Sequence, residues 1–293
     1  MVEKIAQIVD SSGNLPREIL KKFRIKEVPF YYTFDGKKHY KENVDFSTID
    51  FYRQMENNHN TVPKTSAPNI NDWLSVFKEL YSAGYRKFIV TTISSHLSSS
   101  FQNVVLARQA YLKSQKDTQI EIITTNNCAA GQAVLEIKIA HMINEGLLSF
   151  EKIIAQAKKM VPNITTLFSV HNLVYMKAGG RIGGATAFWG QIINIKPICE
   201  FVNGVVKPIK AVRGRKKSLT ALVDIVQSRV KNINNTIIFT QNAICEEDES
   251  YLINYLRKKL NYTGKIYRNI ISATIGAHSG PGTIGIGFLE EKE

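Results

Sequence analysis

Residues 87–105 read KFIVTTISSHLSSSFQNVV. An apolar, β-branched run over 87–93 enters a turn with five serines, and the turn opens onto a helix pattern over about 101–114. A short apolar run bounded by a polar turn reads as a buried strand. The same order of strand, polar loop and helix occurs twice more: residues 5–9 lead through DSSGNLP into a helix at 17–23, and residues 120–125 lead through two asparagines into a helix at about 129–144. Three such units predict a parallel sheet covered by helices. In that architecture the strand C-termini and the helix starts that follow them gather along one edge, where ligands bind. A further helix is expected within VDFSTIDFYRQMENN (44–58), with Asp45 or Ser47 as its cap.

The second half changes style. Residues 165–170 read as a strand and 172–178 as a short helix ending at Gly179-Gly180. β-rich pieces follow at 191–201, 205–212, 236–241, 265–276 and 283–289, with helix patterns at about 218–230 and 247–260. Asn203-Gly204 between two apolar runs predicts a hairpin, hence antiparallel pairing. Pro162-Asn163 breaks the preceding helix and sets the expected boundary. The expectation is an α/β protein of two domains with a cleft between them. Residues 1–162 form an N-terminal parallel-sheet α/β/α domain with a hydroxyl-rich ligand edge, and 163–293 a C-terminal α/β domain with a largely antiparallel sheet.

Composition bounds the function. Of 293 residues, 44% are apolar and 22% charged, enough for an ordinary core. No 18-residue apolar stretch is present, and the opening MVEKIAQIVDSSG lacks a leader pattern. Together with three widely spaced cysteines (Cys128, Cys199, Cys245) in no metal or redox spacing, this predicts a cytoplasmic protein whose cysteines are small buried apolar groups. The formal charge of +13 is spread along the chain without basic tails, so a dedicated nucleic-acid reader is not expected.

Four stretches could carry chemistry. Ser98, Ser99 and Ser100 occupy cap and first-turn positions of the helix after the serine turn. One hydroxyl satisfies a cap; the surplus, beside free backbone N–H groups, also suits an anion. KTSAPNINDW (64–73) places Thr65 and Ser66 ahead of a proline turn, with Asn69 or Asn71 capping the next helix. AGGRIGG (178–184) sets Arg181 between glycine pairs that permit close backbone approach. IGAHSGPGTIGIGF (275–288) puts His278 in a glycine-rich turn between two apolar runs. There is no G-x-S-x-G elbow, H-E-x-x-H pair, P-loop or dinucleotide fingerprint. The hydroxyls are therefore read as holding a ligand rather than attacking one. A phosphotransferase or hydrolase of a small anionic metabolite, using Ser98 or His278, is the alternative. The clearest basic patch is KAVRGRKKSL (210–219), with Arg213, Arg215, Lys216 and Lys217 near a helix start capped by Ser218. Cations there are mildly unfavourable and point to docking on an acidic partner or anionic lipid.

In sequence order, DSSGNLP, KTSAPN, ISSHLSSSFQNV, AGGRIGG, VRGRKKS and IGAHSGPGTIGIGF together resemble the DegV family, bacterial fatty-acid-binding proteins that form the lipid-carrying subunit of fatty acid kinase. The resemblance runs from Val9 to Phe288. It implies a long-chain acyl group buried inside, its carboxyl group met by Thr65, Ser66, Ser98, the Ser99 amide and His278, with Arg181 nearby. It also implies a partner, the fatty acid kinase catalytic subunit, which phosphorylates the bound carboxylate with ATP. On this reading the chain is a carrier and not an enzyme and has no cofactor beyond the bound fatty acid; transient contact with an anionic membrane surface is the basic patch's alternative to docking on the kinase. Asn14 departs from the family's acid, and Ser99 and Ser100 from its glycine and threonine.

Overall fold

The computed structural model describes residues 3–57, 61–188 and 195–290. Strand β1 (Ile5–Asp10) is buried along its whole length and precedes helix α1 (Arg17–Phe23). Three short strands follow, β2 (Lys26–Val28), β3 (Tyr31–Thr33) and β4 (Tyr40–Lys41), then α2 (Thr48–Asn57), β5 (Lys64–Ser66) and α3 (Ile70–Ser82). The repeating units resume with β6 (Lys87–Thr92), α4 (Ser100–Leu112), β7 (Gln119–Thr124), α5 (Ala129–Glu145) and α6 (Phe150–Met160). The remainder comprises β8 (Ile164–Ser169), α7 (Val174–Ala178), β9 (Ile195–Val202), β10 (Val205–Arg213), α8 (Arg215–Arg229), β11 (Ile238–Asn242), α9 (Glu246–Leu260), β12 (Ile266–Ile270), α10 (Ala273–Ser279) and β13 (Ile284–Leu289).

The fold is α/β with two domains of different sheet type. A parallel sheet has the order β2-β1-β6-β7, and a six-stranded sheet the order β10-β9-β8-β13-β11-β12, antiparallel except for the β11–β12 pair. Strands of the first come from residues before 125; those of the second begin at Ile164. Helix α5 lies against both, touching β1 on one side and β8, β11 and β13 on the other. This placement explains why α5 is buried almost all round from Ala129 to Ile137, its polar Gln132 and Glu136 included. The β9–β10 hairpin turns at Asn203 (φ 51°) and Gly204 (φ 82°). Two successive positive φ values are what a type I′ hairpin turn requires.

Three expectations need correction. Thr65 and Ser66 do not lie in a loop: they belong to β5, which pairs with β3 in a small antiparallel sheet of order β4-β3-β5. Strands of two or three residues carry too few alternations to stand out. The β-rich reading of 265–276 holds only as far as Ile270, and His278 sits on helix α10 rather than in a turn between strands. Helix α8 begins at Arg215 behind Gly214, so Ser218 is an interior residue whose hydroxyl donates to the Arg215 carbonyl at 2.7 Å. Of the piece expected at 191–201, residues 191–194 lie outside the described residues, as does position 58 of the expected second helix. Ser47 provides the α2 cap by accepting from Asp50 N at 3.1 Å, while Asp45 instead accepts from Lys41 N at 2.6 Å. Asn69 caps α3 in a reciprocal box with Asp72.

Candidate ligand site

Strands and helices of both domains meet at one cavity of about 320 Å³. A single water needs only about 10–15 Å³ by the same kind of measure, so this space is far larger than a water site. Its apolar wall includes Phe30, Ile93, Leu97, Ala129, Phe168, Met176, Phe201, Val206, Ile271 and Ile275, drawn from both domains. Thr65, Ser66, Ser98, Ser99, Arg181 and His278 line the same cavity. These six residues come from four separate stretches of sequence, at 65–66, 98–99, 181 and 278.

Thr65 on β5 and His278 on α10 form the central polar contact. Thr65 Oγ1 and His278 Nε2 are 2.7 Å apart across 213 residues. The imidazole is packed over Gly179, where an added Cβ would run into the ring. This explains Gly179, the first glycine of AGGRIGG, as a seat for the imidazole, a role that a side chain would block. Burial, with a smaller contribution from the Arg181 guanidinium, pushes the His278 pKa down to about 4. The ring is therefore neutral at pH 7. If Nε2 carries the proton and donates to Thr65 Oγ1, the threonine O–H is left free to donate to a ligand. A carboxylate is the acceptor such a relay fits.

The serine turn is built by a buried acid. Asp10, at the end of β1, accepts from Ile93 N at 3.0 Å and from Ser100 Oγ at 2.7 Å, bracketing residues 94–99. Its other oxygen accepts from Ser12 Oγ and from Gln132 Nε2. Ser98 Oγ accepts from Ser100 N at 3.3 Å. Ser99 is the N-cap residue of α4 but makes no side-chain cap bond, and its hydroxyl is exposed at the cavity. Its φ of −76° is ordinary for any residue, so serine fits where the resembled family carries glycine. The β9–β10 hairpin closes over the turn: Ser94 Oγ donates to the Gly204 carbonyl at 2.8 Å. Arg181, exposed, donates from Nε to the Leu97 carbonyl at 3.2 Å and from Nη1 to the Gly179 carbonyl at 2.6 Å.

Other wall residues gave no sequence signal. Ser279 Oγ and Gln241 Oε1, with Nδ1 of the already named His278, belong to cavity-lining residues and are buried without a hydrogen-bond partner among the described residues. Buried polar atoms are normally satisfied, so orphans gathered around a cavity suit a ligand or water. Ser279 adjoins His278 and Gln241 ends the apolar run of β11; those were the only hints. The hydroxyl–imidazole pair is poorly built for attack. Among the described residues no carboxylate holds Nδ1, and a base with a pKa near 4 takes protons weakly at pH 7. Among the described residues no group of three or more His, Cys, Asp or Glu could hold a metal, and no helix is long and apolar enough to cross a membrane.

The basic segment divides. Arg213, Lys216 and Lys217 are exposed, with Lys216 Nζ 6.0 Å from the Tyr251 ring centre. Arg215 is turned inward: Nε pairs with Asp248 at 2.8 Å and Nη2 donates to the Gly282 carbonyl at 2.7 Å. The earlier helix start puts Arg215 in the first turn of α8, opposite the acidic first turn of α9.

Comparison with known proteins agrees with this architecture. A DegV domain-containing protein of Clostridium acetobutylicum is 31% identical over 99% of this chain and 100% of its own length. The structure of a stearic acid-binding protein from Eubacterium ventriosum superposes with a TM-score of 0.90 at 26% identity, covering 98% of each chain. That of DegV from Bacillus subtilis, described as a fatty acid binding protein, gives 0.85 at 26% identity, over 99% of this chain and 100% of that one. A family model described as an uncharacterised protein, DegV family, matches residues 4–291, and the chain belongs to the DegV family.

Proposed function

We propose that this chain binds a long-chain fatty acid, its tail in the cavity and its carboxylate at Thr65, Ser66, Ser98, Ser99 and His278. The observation that carries the reading is the union, in one cavity of about 320 Å³, of a largely apolar wall with this group of hydroxyls and a neutral imidazole. Burying about fifteen methylenes is favourable by about 12 kcal/mol gross. A carboxylate taken from water without partners costs several kcal/mol, and hydroxyl donors with helix-start amides replace its hydration shell. That the Eubacterium ventriosum and Bacillus subtilis proteins are described as binding fatty acids supports the same ligand class.

The family resemblance extends the reading to a carrier role. The chain presents the carboxylate to a fatty acid kinase catalytic subunit, which phosphorylates it with ATP to an acyl phosphate; the carrier supplies no phosphoryl-transfer chemistry. Neutral donors suit this better than a double-arginine clamp, because one carboxylate oxygen must remain free to attack phosphorus. Exposed Arg213, Lys216 and Lys217 are the docking cations, for the kinase or transiently for anionic lipid. Residues 1–162 and 163–293 act as the two domains enclosing the ligand. Native mass spectrometry tests the ligand directly. Protein purified without delipidation should carry one long-chain fatty acid; a bare chain that also takes up no added stearate refutes the proposal.

A further inference from the structure

Helix α10 is seven residues long and carries His278 near its end. A helix start leaves backbone N–H groups without partners, and a local Ser, Thr, Asp or Asn side chain usually accepts from one of them. Ser272, the N-cap residue here, makes no such bond. Instead Thr274 N donates to Glu42 Oε1 at 2.5 Å, from a residue 232 positions away. Glu42 is 1% exposed. Its second oxygen accepts from Ser11 Oγ, which itself accepts from Phe30 N at 3.0 Å. The Ser272 and Thr274 hydroxyls face the same carboxylate and favour its charged form against the effect of burial.

Glu42 directly follows β4, and β4 pairs with β3, whose Tyr32 is in register with Thr65 of β5. One small sheet therefore holds the hydroxyl of the central pair and the acid that fixes the helix bearing the imidazole. We propose that Glu42 is a positioning residue: its carboxylate caps α10 from outside the helix and sets the Thr65–His278 contact. DSSG thereby gains a purpose for both serines, with Ser12 bonded to Asp10 under the serine turn and Ser11 bonded to Glu42 under α10. The effect on ligand rests on the fatty-acid reading; the effect on the His278 ring does not.

Two conservative variants separate reach from charge. Glu42→Gln keeps an oxygen at the length needed to accept from Thr274 N, whereas Glu42→Asp keeps the charge and withdraws the oxygen by one methylene. Both are checked for cooperative unfolding, then for stearate and octadecanol affinity and for His278 ring resonances by NMR. Glu42→Asp should weaken stearate about tenfold, the scale of one hydrogen bond, leave octadecanol within about twofold, and shift the His278 ring signals. Glu42→Gln should stay within about threefold of the parent and leave the ring signals near their original positions. Unshifted ring signals in folded Glu42→Asp, or equal perturbation by both variants, overturn the proposal. Equal loss of stearate and octadecanol in Glu42→Asp also does so, since it would mean general collapse of the cavity. Should the parent bind neither lipid, the fatty-acid reading fails, and the ring signals still decide the role of Glu42.

Discussion

Removing the proton-binding site at His278 should flatten part of the protein's response to acid. The imidazole has a pKa near 4 in the fold because burial, aided by Arg181, disfavours its charged form. In the unfolded chain it returns to about 6.5. A group whose folded pKa is depressed binds more protons when unfolded, so its contribution is fully present above the unfolded value and is lost as pH falls through the window from 6.5 to about 4. Integrated from pH 7 down to pH 5, that loss is about 2 kcal/mol; by pH 4 it approaches about 3 kcal/mol. The comparison is delipidated parent against His278→Gln, which fills similar space without titrating. Urea unfolding at pH 7 and pH 5 gives four stabilities. Buried acids such as Asp10 and Glu136, whose pKa values are raised by burial, titrate in both proteins, so their effects cancel in the difference. The parent should lose about 2 kcal/mol more than His278→Gln over this interval. An equal loss in both, or a folded-state titration of His278 near 6.5 by NMR, refutes the account of the ring as buried and neutral.

Three further outcomes are expected. Thr65→Val keeps shape but removes the hydroxyl 2.7 Å from His278 Nε2, and should weaken stearate about tenfold with little change for octadecanol, read by displacement of a fluorescent fatty acid. Gly179→Ala adds a methyl group against the imidazole and should destabilise by about 1–3 kcal/mol in urea unfolding while lowering stearate affinity. Charge reversal at Arg213 together with Lys216 should leave unfolding within about 0.5 kcal/mol of the parent and weaken kinase-dependent acyl phosphate formation. Arg215→Ala, which abandons the Asp248 ion pair and the Gly282 carbonyl, should instead appear mainly as lost stability in the same unfolding assay.

The sequence revealed what is written locally. Each of β1, β6 and β7 is a short stretch rich in apolar and β-branched residues next to its own turn and helix, so the parallel units and their shared edge could be read without knowing the fold. The Asn203-Gly204 hairpin was legible for the same reason, since two adjacent residues determine its backbone. What escaped was written at a distance. Strand β5 exists because β3 pairs with it, and α10 is held at its start by Glu42; neither the KTS of 64–66 nor the ATIGAHS of 273–279 has enough periodicity to declare its state. The candidate carboxylate residues were picked out by hydroxyl surplus, glycine context and family resemblance. Their mutual geometry, above all the Thr65–His278 contact, depends on partners more than 200 positions apart. Arg215 shows the opposite difficulty: basic residues in a row look alike in sequence, and only the position of α9 tells which one turns inward.

A crystal structure of the chain soaked with stearate tests the central claim most directly. The account predicts electron density for the acyl chain among Phe30, Ile93, Phe168 and Ile275, with a carboxylate oxygen within about 3.2 Å of Thr65 Oγ1. Stearate bound elsewhere on the protein, or lying in the cavity with its carboxylate turned away from Thr65 and His278, would contradict it.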